Sequence, residues 1–156
     1  RRAGTTSRDL ERAFQQASQT SRGVRAATGL ETVGRSLAEL AQHRGVLYAN
    51  REGDWRFATG HGWSVVRPQA ALRVNNGLVM RDAAAAGLGI ALLPTFLLHG
   101  SVTSGTLVPL DVGAESEGAE LFITYARDHG ASAKIRALAD SLRRSFGDPP
   151  YWDRWD

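Results

Sequence analysis

The chain has 156 residues, of which 42% are hydrophobic and 22% are charged, a composition typical of a globular domain rather than a disordered or collagen-like chain. It contains no cysteine, which excludes a disulfide framework, a thiol nucleophile and a cysteine-ligated metal site. No apolar run approaches the roughly 18 residues of a membrane-spanning helix, and the first residues lack a signal peptide's apolar stretch. We therefore expect one cytoplasmic domain without a membrane partner.

Positive charge is concentrated at the start of the sequence. Up to Arg25, six arginines oppose only Asp9 and Glu11, which gives this stretch a net charge of +4, whereas the whole chain carries +3. Residues 1–23 are otherwise rich in Ser, Thr, Gln and Gly, so we expect a flexible basic segment with at most one short helix. A solvated tail is the simpler interpretation, and contact with nucleic-acid phosphates is the alternative.

Regular secondary structure is predicted from Ser36 onward. Ser36 and Glu39 have the spacing of a capping box and predict a helix that ends near His43. Strands are predicted over residues 45–49 and 55–57, with a turn between them. Because the connection is short, we expect these two strands to pair as a hairpin.

The central sequence alternates strands with helices. A strand over residues 71–74 ends at Asn75-Asn76-Gly77, and an alanine-rich helix follows from about Leu78 to Ala86. The next predicted elements are a strand over 90–93, a short helix over 95–98, a strand over 106–110, a polar loop over 111–118 and a strand over 120–126.

The last predicted helix has the clearest periodicity. Ser132 is expected to cap it, and Gly147 followed by two prolines is expected to end it. Its large apolar residues and one alanine follow the spacing of a single buried stripe: Ile135, Leu138, Ala139, Leu142 and Phe146. Helices and short strands thus alternate along the chain, which predicts an α/β domain.

Residues that could carry catalysis or bind a metal are scattered. The histidines stand singly, without metal-ligand spacing, and we expect structural or exposed roles for all four: His43, His61, His99 and His129. No Gly-x-Ser-x-Gly motif occurs. Gly87-Leu88-Gly89 has part of a dinucleotide-binding pattern but follows a helix and precedes a strand, the reverse of the required order. We therefore expect that the chain is not an enzyme and that it binds neither a metal ion nor a cofactor.

The strand-to-helix junction at Asn75-Asn76-Gly77 is the strongest candidate site. The first N–H groups of a helix have no partner within it and lie at the positive end of its dipole, so such an end can bind an anion. An asparagine cap without any ligand would satisfy the same groups and is the alternative interpretation.

Six segments, in this order, resemble the effector-binding region of LysR-type transcriptional regulators, a large bacterial family. They are SLAELAQHRGVLYAN (36–50), WRF (55–57), LRVNNG (72–77), RDAAAAGLGIALLPTFL (81–97), SGTLVPL (104–110) and AKIRALADSLRRSFGDPPYWD (133–153). The resemblance extends from about Ser36 to Asp156.

The resemblance implies a type 2 periplasmic-binding-protein-like fold, in which a small molecule sits between two lobes and alters a DNA-bound homo-oligomer. Residues 24–156 would form the effector-binding region. This region would contain the second lobe and the C-terminal segment that returns toward the first lobe, and the first lobe would be incomplete. The family's winged helix-turn-helix has no counterpart here, so DNA would be contacted only through a missing domain. In the family, two crossing strands join the lobes, and residues 24–28 resemble the end of the first. The effector contacts implied are Asn75, Asn76, Gly77, Leu78 and Thr28.

The sequence therefore leaves two candidate functions open for this chain. The first is a non-catalytic, ligand-sensing regulatory domain that binds a small anionic metabolite, such as a carboxylate, near the junction. The second is an oligomerisation module that has lost effector binding and associates through the apolar stripe of the last helix, where Leu138 and Leu142 lie.

Overall fold

A computed structural model describes residues 24–27, 36–49, 54–118 and 132–154. In chain order its strands are β1 (Val24–Ala27), β2 (Arg44–Tyr48), β3 (Trp55–Thr59), β4 (Gly62–Val66), β5 (Gln69–Val74), β6 (Ile90–Leu92), β7 (Leu107–Leu110) and β8 (Glu115–Ser116). The α-helices are α1 (Leu37–Leu40), α2 (Gly77–Ala85), α3 (His99–Thr103) and α4 (Ala133–Phe146), and short 3₁₀ segments cover Thr95–Leu97 and Tyr151–Asp153.

A five-stranded mixed sheet in the order β5-β2-β6-β1-β7 forms the centre of the fold. Strand β2 runs parallel to both β5 and β6, whereas β1 is antiparallel to β6 and β7. Val46 and Leu47, successive residues of β2, belong to different buried clusters because neighbouring side chains point to opposite faces of a strand. The sheet is therefore covered on both faces, and α2 packs on the face that carries Val46.

A second sheet has three strands in the order β4-β3-β8. Trp55 and Phe57 of β3 face the core together, as their spacing predicted. The predicted hairpin between residues 45–49 and 55–57 is wrong, because β2 lies between two parallel partners in the other sheet. Strand β3 instead pairs with β4 through a tight turn, where the Thr59 hydroxyl donates to the Gly62 carbonyl at 2.8 Å.

The predicted polar loop over residues 111–118 contains strand β8. Glu115 and Ser116 pair with Ala58 and Phe57 of β3 and complete the small sheet. A two-residue strand has no periodicity that can be read from the sequence, so only its pairing reveals it. The strand predicted over 120–126 lies outside the described residues.

Helix α4 begins and ends where the sequence predicts, but its apolar face is not buried as expected. Ser132 Oγ accepts a hydrogen bond from the Lys134 N–H at 3.3 Å, and Gly147 at φ +82° ends the helix. Ala139 is buried, whereas Leu138 is 52% exposed and the rest of the stripe is only partly buried. Within the described residues no other helix or strand packs closely along α4, so its apolar stripe is only partly covered.

Candidate functional site

The junction between β5 and α2 forms the predicted asparagine cap. Asn76 is in an extended conformation, and its Oδ1 accepts hydrogen bonds from the N–H groups of Leu78 at 2.9 Å and Val79 at 3.3 Å. The Met80 N–H donates to the Asn76 carbonyl at 3.0 Å. Three of the first N–H groups of α2 are thus satisfied by Asn76, and the positive end of the helix dipole remains at this position.

Gly77 is the place where the first turn of α2 meets the 3₁₀ segment Thr95–Leu97. A Cβ atom added at Gly77 would lie 2.5 Å from Leu97 Cδ1, closer than side-chain carbons approach in proteins. Glycine therefore permits the close packing of the 3₁₀ segment on α2. Because both elements contribute to the same cavity wall, this packing sets the shape of that wall.

The cavity has a volume of about 440 Å³ and lies at the carboxyl ends of the parallel strands β2 and β6. In open α/β sheets this end is where ligands bind, because the strand ends and helix starts leave a crevice there. Its lining residues come from six parts of the fold: Tyr48, Asp54, Trp55, Gly77, Met80, Leu92, Leu93, Pro94, Phe96, Leu97, Ser116, Glu117 and Gly118.

Most of the cavity wall is apolar. Trp55, Met80 and Leu93 are buried residues of the two core clusters, so this part of the wall is held by the core itself. Phe96 is 56% exposed and belongs to the solvent side of the cavity. A cavity of this size with aromatic and aliphatic walls suits the carbon skeleton of a small organic molecule.

The two carboxylates of the wall are each held by an arginine. Arg67 binds Asp54 with two hydrogen bonds, Nε to Oδ1 at 2.7 Å and Nη2 to Oδ2 at 2.9 Å, the paired geometry that guanidinium and carboxylate groups favour. Arg56 Nη1 lies 3.4 Å from Glu117 Oε1. No lysine, arginine or histidine is among the described residues that line the cavity.

The structure brings together only part of the site that the sequence predicted. Gly77 lines the cavity, whereas Asn75, Asn76 and Leu78 lie at the junction beside it and are exposed. Thr28 is outside the described residues. Sequence reasoning missed the strand-end residues, among them Tyr48 and Leu92, although the rule that ligands bind at the carboxyl ends of parallel strands pointed to them.

The histidines lie apart from the cavity lining where they are described. His43 follows α1, His61 lies in the β3–β4 turn, and the His99 ring is 5.7 Å from that of Tyr151. His129 lies outside the described residues. In the part of the chain that the structure covers, no group of three or more His, Asp or Glu residues could hold a metal ion. No helix in that part is long and apolar enough to cross a membrane.

Proteins of known structure share this architecture. The regulatory domain of CrgA, a LysR-type transcriptional regulator from Neisseria meningitidis, is similar in structure, with a TM-score of 0.66 and 23% identity. The match covers 81% of this chain and 66% of that one. The similarity confirms the expected α/β fold of the type 2 periplasmic-binding-protein-like class.

Two sequence relatives match different lengths of the chain. The HTH-type transcriptional regulator PtxR from Pseudomonas aeruginosa is 27% identical over 97 residues, which are 62% of this chain and 31% of that protein. A glutamyl-tRNA reductase from Clavibacter michiganensis is 53% identical over 55 residues, but these are only 12% of that enzyme. The chain thus spans less than a third of the length of either relative.

The family match covers far more of the chain. Residues 27–147 match the family described as LysR substrate binding domain, and they include every described residue of the cavity lining. This family is regulatory, not enzymatic. The chain therefore belongs to the LysR substrate-binding domain family and has the regulatory-domain fold of LysR-type transcriptional regulators.

Proposed function

We propose that this chain senses a small organic effector, which binds in the cavity between β2, β6 and α2. The observation that carries the proposal is the position of this apolar cavity at the carboxyl ends of parallel strands, with the first turn of α2 in its wall. The effector would control transcription in the cytoplasm through a DNA-binding domain outside this chain, within a homo-oligomer.

We further propose that the effector carries a carboxylate, which lies at the start of α2 near the segment Asn75 to Leu78. Because the N–H groups of Leu78 and Val79 already donate to Asn76, the attraction would come from the helix dipole. The helix dipole favours negative charge at this end. Asp54 and Glu117, which also line the cavity, are paired with Arg67 and Arg56, and their carboxylate oxygens offer an anion no hydrogen-bond donor. The carboxylate of the effector would therefore turn toward Gly77 and away from them. The family resemblance adds Thr28 to the proposed contacts.

Thermal unfolding with a panel of aliphatic and aromatic carboxylates tests the sensing function. A ligand of the native state at 100 times its dissociation constant adds about 2.7 kcal/mol to the free energy of unfolding. We expect one class of acids to raise the melting temperature and the corresponding uncharged amides to raise it less. A melting temperature unchanged by every acid of the panel would contradict effector binding.

The variant Asn76→Asp tests where the carboxylate lies. Aspartate caps a helix as well as asparagine does and suits the helix dipole, so the variant should fold with undiminished stability. The added negative charge should lower the affinity for the best carboxylate of the panel by at least tenfold while sparing its amide analogue. Asp82→Asn, further along α2, serves as a matched control for a change in charge. Unaltered carboxylate affinity in Asn76→Asp would exclude the junction as the anion site.

An oligomerisation module without effector binding is the second candidate function. The observation that favours it is the exposed Leu138 on α4, because a large apolar side chain in an amphipathic stripe suits contact with another surface. Sedimentation velocity would show a stable dimer or larger species that the variant Leu138→Lys dissociates. A monomer at all concentrations would contradict this function.

A further inference from the structure

We propose that the C-terminal segment Tyr151–Asp153 supports the ligand site from outside the cavity, with Trp152 as a positioning residue that holds Phe96 at the solvent side of the cavity. The inference rests on the proposed function, since it concerns a wall of the same cavity. Trp152 itself is not a lining residue, and its effect on a ligand would therefore pass through Phe96.

An aromatic cluster joins the C-terminal segment to the cavity wall. The ring of Trp152 packs edge to face on Phe96 at 6.2 Å, on Phe146 at 5.0 Å and on Tyr151 at 4.9 Å between ring centroids. The Tyr151 ring packs in the same manner on His99, which begins α3. Trp152 thus connects the end of α4 with the Phe96 side of the cavity.

The element that carries Phe96 is a single turn, with the buried residues Thr95 and Leu98 at its two ends and Phe96 exposed between them. The 3₁₀ segment Thr95–Leu97 is a single turn, closed by the Leu97 N–H on the Pro94 carbonyl at 3.1 Å and the Leu98 N–H on the Thr95 carbonyl at 2.9 Å. So short a 3₁₀ turn depends on its side chains for its position. Leu97 packs on Gly77 of α2 and Phe96 packs on Trp152, so the C-terminal segment supports one side of this turn.

The contact between Trp152 and Phe96 links the C-terminal segment to ligand binding, since the segment is docked when this contact is made and undocked when it is broken. A ligand that contacts Phe96 in its supported position binds the docked form better than the undocked form, so it favours docking. By the same linkage, docking raises ligand affinity by an equal factor. Loss of Trp152 should consequently weaken ligand binding without removing any residue from the cavity wall.

Hydrogen exchange of the backbone amides tests the positioning role without any ligand. Trp152→Ala should accelerate exchange at Leu97 and Leu98 at least fivefold, whereas Trp152→Phe, which keeps an aromatic ring, should restore slow exchange. Trp63→Ala is the matched control, because Trp63 is an exposed tryptophan on the β3–β4 hairpin, away from the aromatic cluster. Equal exchange at these amides in Trp152→Ala and the wild type would overturn the inference.

A double-mutant cycle then separates positioning from general destabilisation. The probe is the carboxylate that raises the melting temperature most, titrated by calorimetry. Trp152→Ala should weaken its binding about three- to tenfold, in keeping with the energy of an aromatic pair. In a Phe96→Ala background the same substitution should have no further effect. If Trp152→Ala weakened ligand binding as much in the Phe96→Ala background as in the wild type, Trp152 would not act through Phe96, and the inference would be overturned. If no acid binds the wild type, the proposed function fails, and the exchange experiment alone decides the role of Trp152.

Discussion

Val46, Leu47 and Ile90 of the central sheet are at most 1% exposed, whereas Leu138 in the apolar stripe of α4 is 52% exposed. Both regions show clear apolar patterns in the sequence. The sheet strands are covered on both faces by residues of the described chain, whereas α4 makes only sparse contacts with other described elements, among them that of Phe146 with Trp152. A periodic pattern thus identifies which face of an element is apolar, but the fold decides whether that face is covered.

Phe57→Ala should show the largest effect among substitutions in these two regions. The Phe57 ring is fully buried in the cluster between the two sheets, and truncation would leave a cavity. We expect a loss of about 3–5 kcal/mol in the free energy of unfolding, measured by urea denaturation. A loss below about 1 kcal/mol would contradict the description of this region as a closed core.

Gly89→Ala should be the next most damaging change, and it tests how closely the chain before β6 approaches the neighbouring strand. A Cβ at Gly89 would lie 2.4 Å from the Arg44 carbonyl oxygen of the neighbouring strand, and backbone atoms cannot move aside as a side chain can. We expect a loss of about 2–3 kcal/mol. Gly87→Ala is the matched control. Gly87 also has a positive φ, but open space surrounds its Cβ position, so about 1 kcal/mol should be lost. Equal losses in the two variants would contradict the close strand approach.

Asn76→Ala should cost less than either core change, about 1 kcal/mol, because it removes the cap from the start of α2. Asn75→Ala is the matched control, since no cap bond to α2 comes from Asn75 and its side chain is exposed. Denaturation of the three proteins measures the difference directly. A loss in Asn75→Ala as large as in Asn76→Ala would show that the cap is assigned to the wrong asparagine.

Leu138→Lys should have the smallest effect on the unfolding of a single chain, within about 0.5 kcal/mol, as expected for an exposed position. The measurement is urea denaturation at low protein concentration, where self-association does not contribute. A loss comparable with that of Phe57→Ala would show that the stripe is buried within the chain. That result would remove the contrast between the sheet and α4.

Local features were predictable from the sequence because they depend on neighbouring residues. Ser36, Asn76 and Ser132 cap helices as predicted, and the cap at Asn76 led to the junction whose Gly77 lines the cavity. The strands around Val46 and Ile90 were also predicted. Each of these features follows from short-range spacing and from the hydrogen-bonding capacity of the side chain itself.

Features that depend on distant residues were not predictable in the same way. The predicted pairing of β3 with β2 was wrong, because β2 pairs instead with β5 and β6, which lie further along the sequence. The cavity wall joins Trp55 with Phe96, which only the sheet topology brings together. The contact of Trp152 with Phe96 joins residues that lie still further apart in the sequence, because Trp152 follows α4.

Mapping of amide chemical shifts by NMR during titration with the most stabilising carboxylate tests the central claim most directly. If the effector lies in the cavity with its carboxylate at the start of α2, the largest shifts should fall on Gly77, Leu93, Phe96 and Leu97. These shifts should saturate at the dissociation constant found by calorimetry. Shifts confined to α4, or none at any concentration of the acid, would contradict the proposal that this domain senses an effector in the cavity.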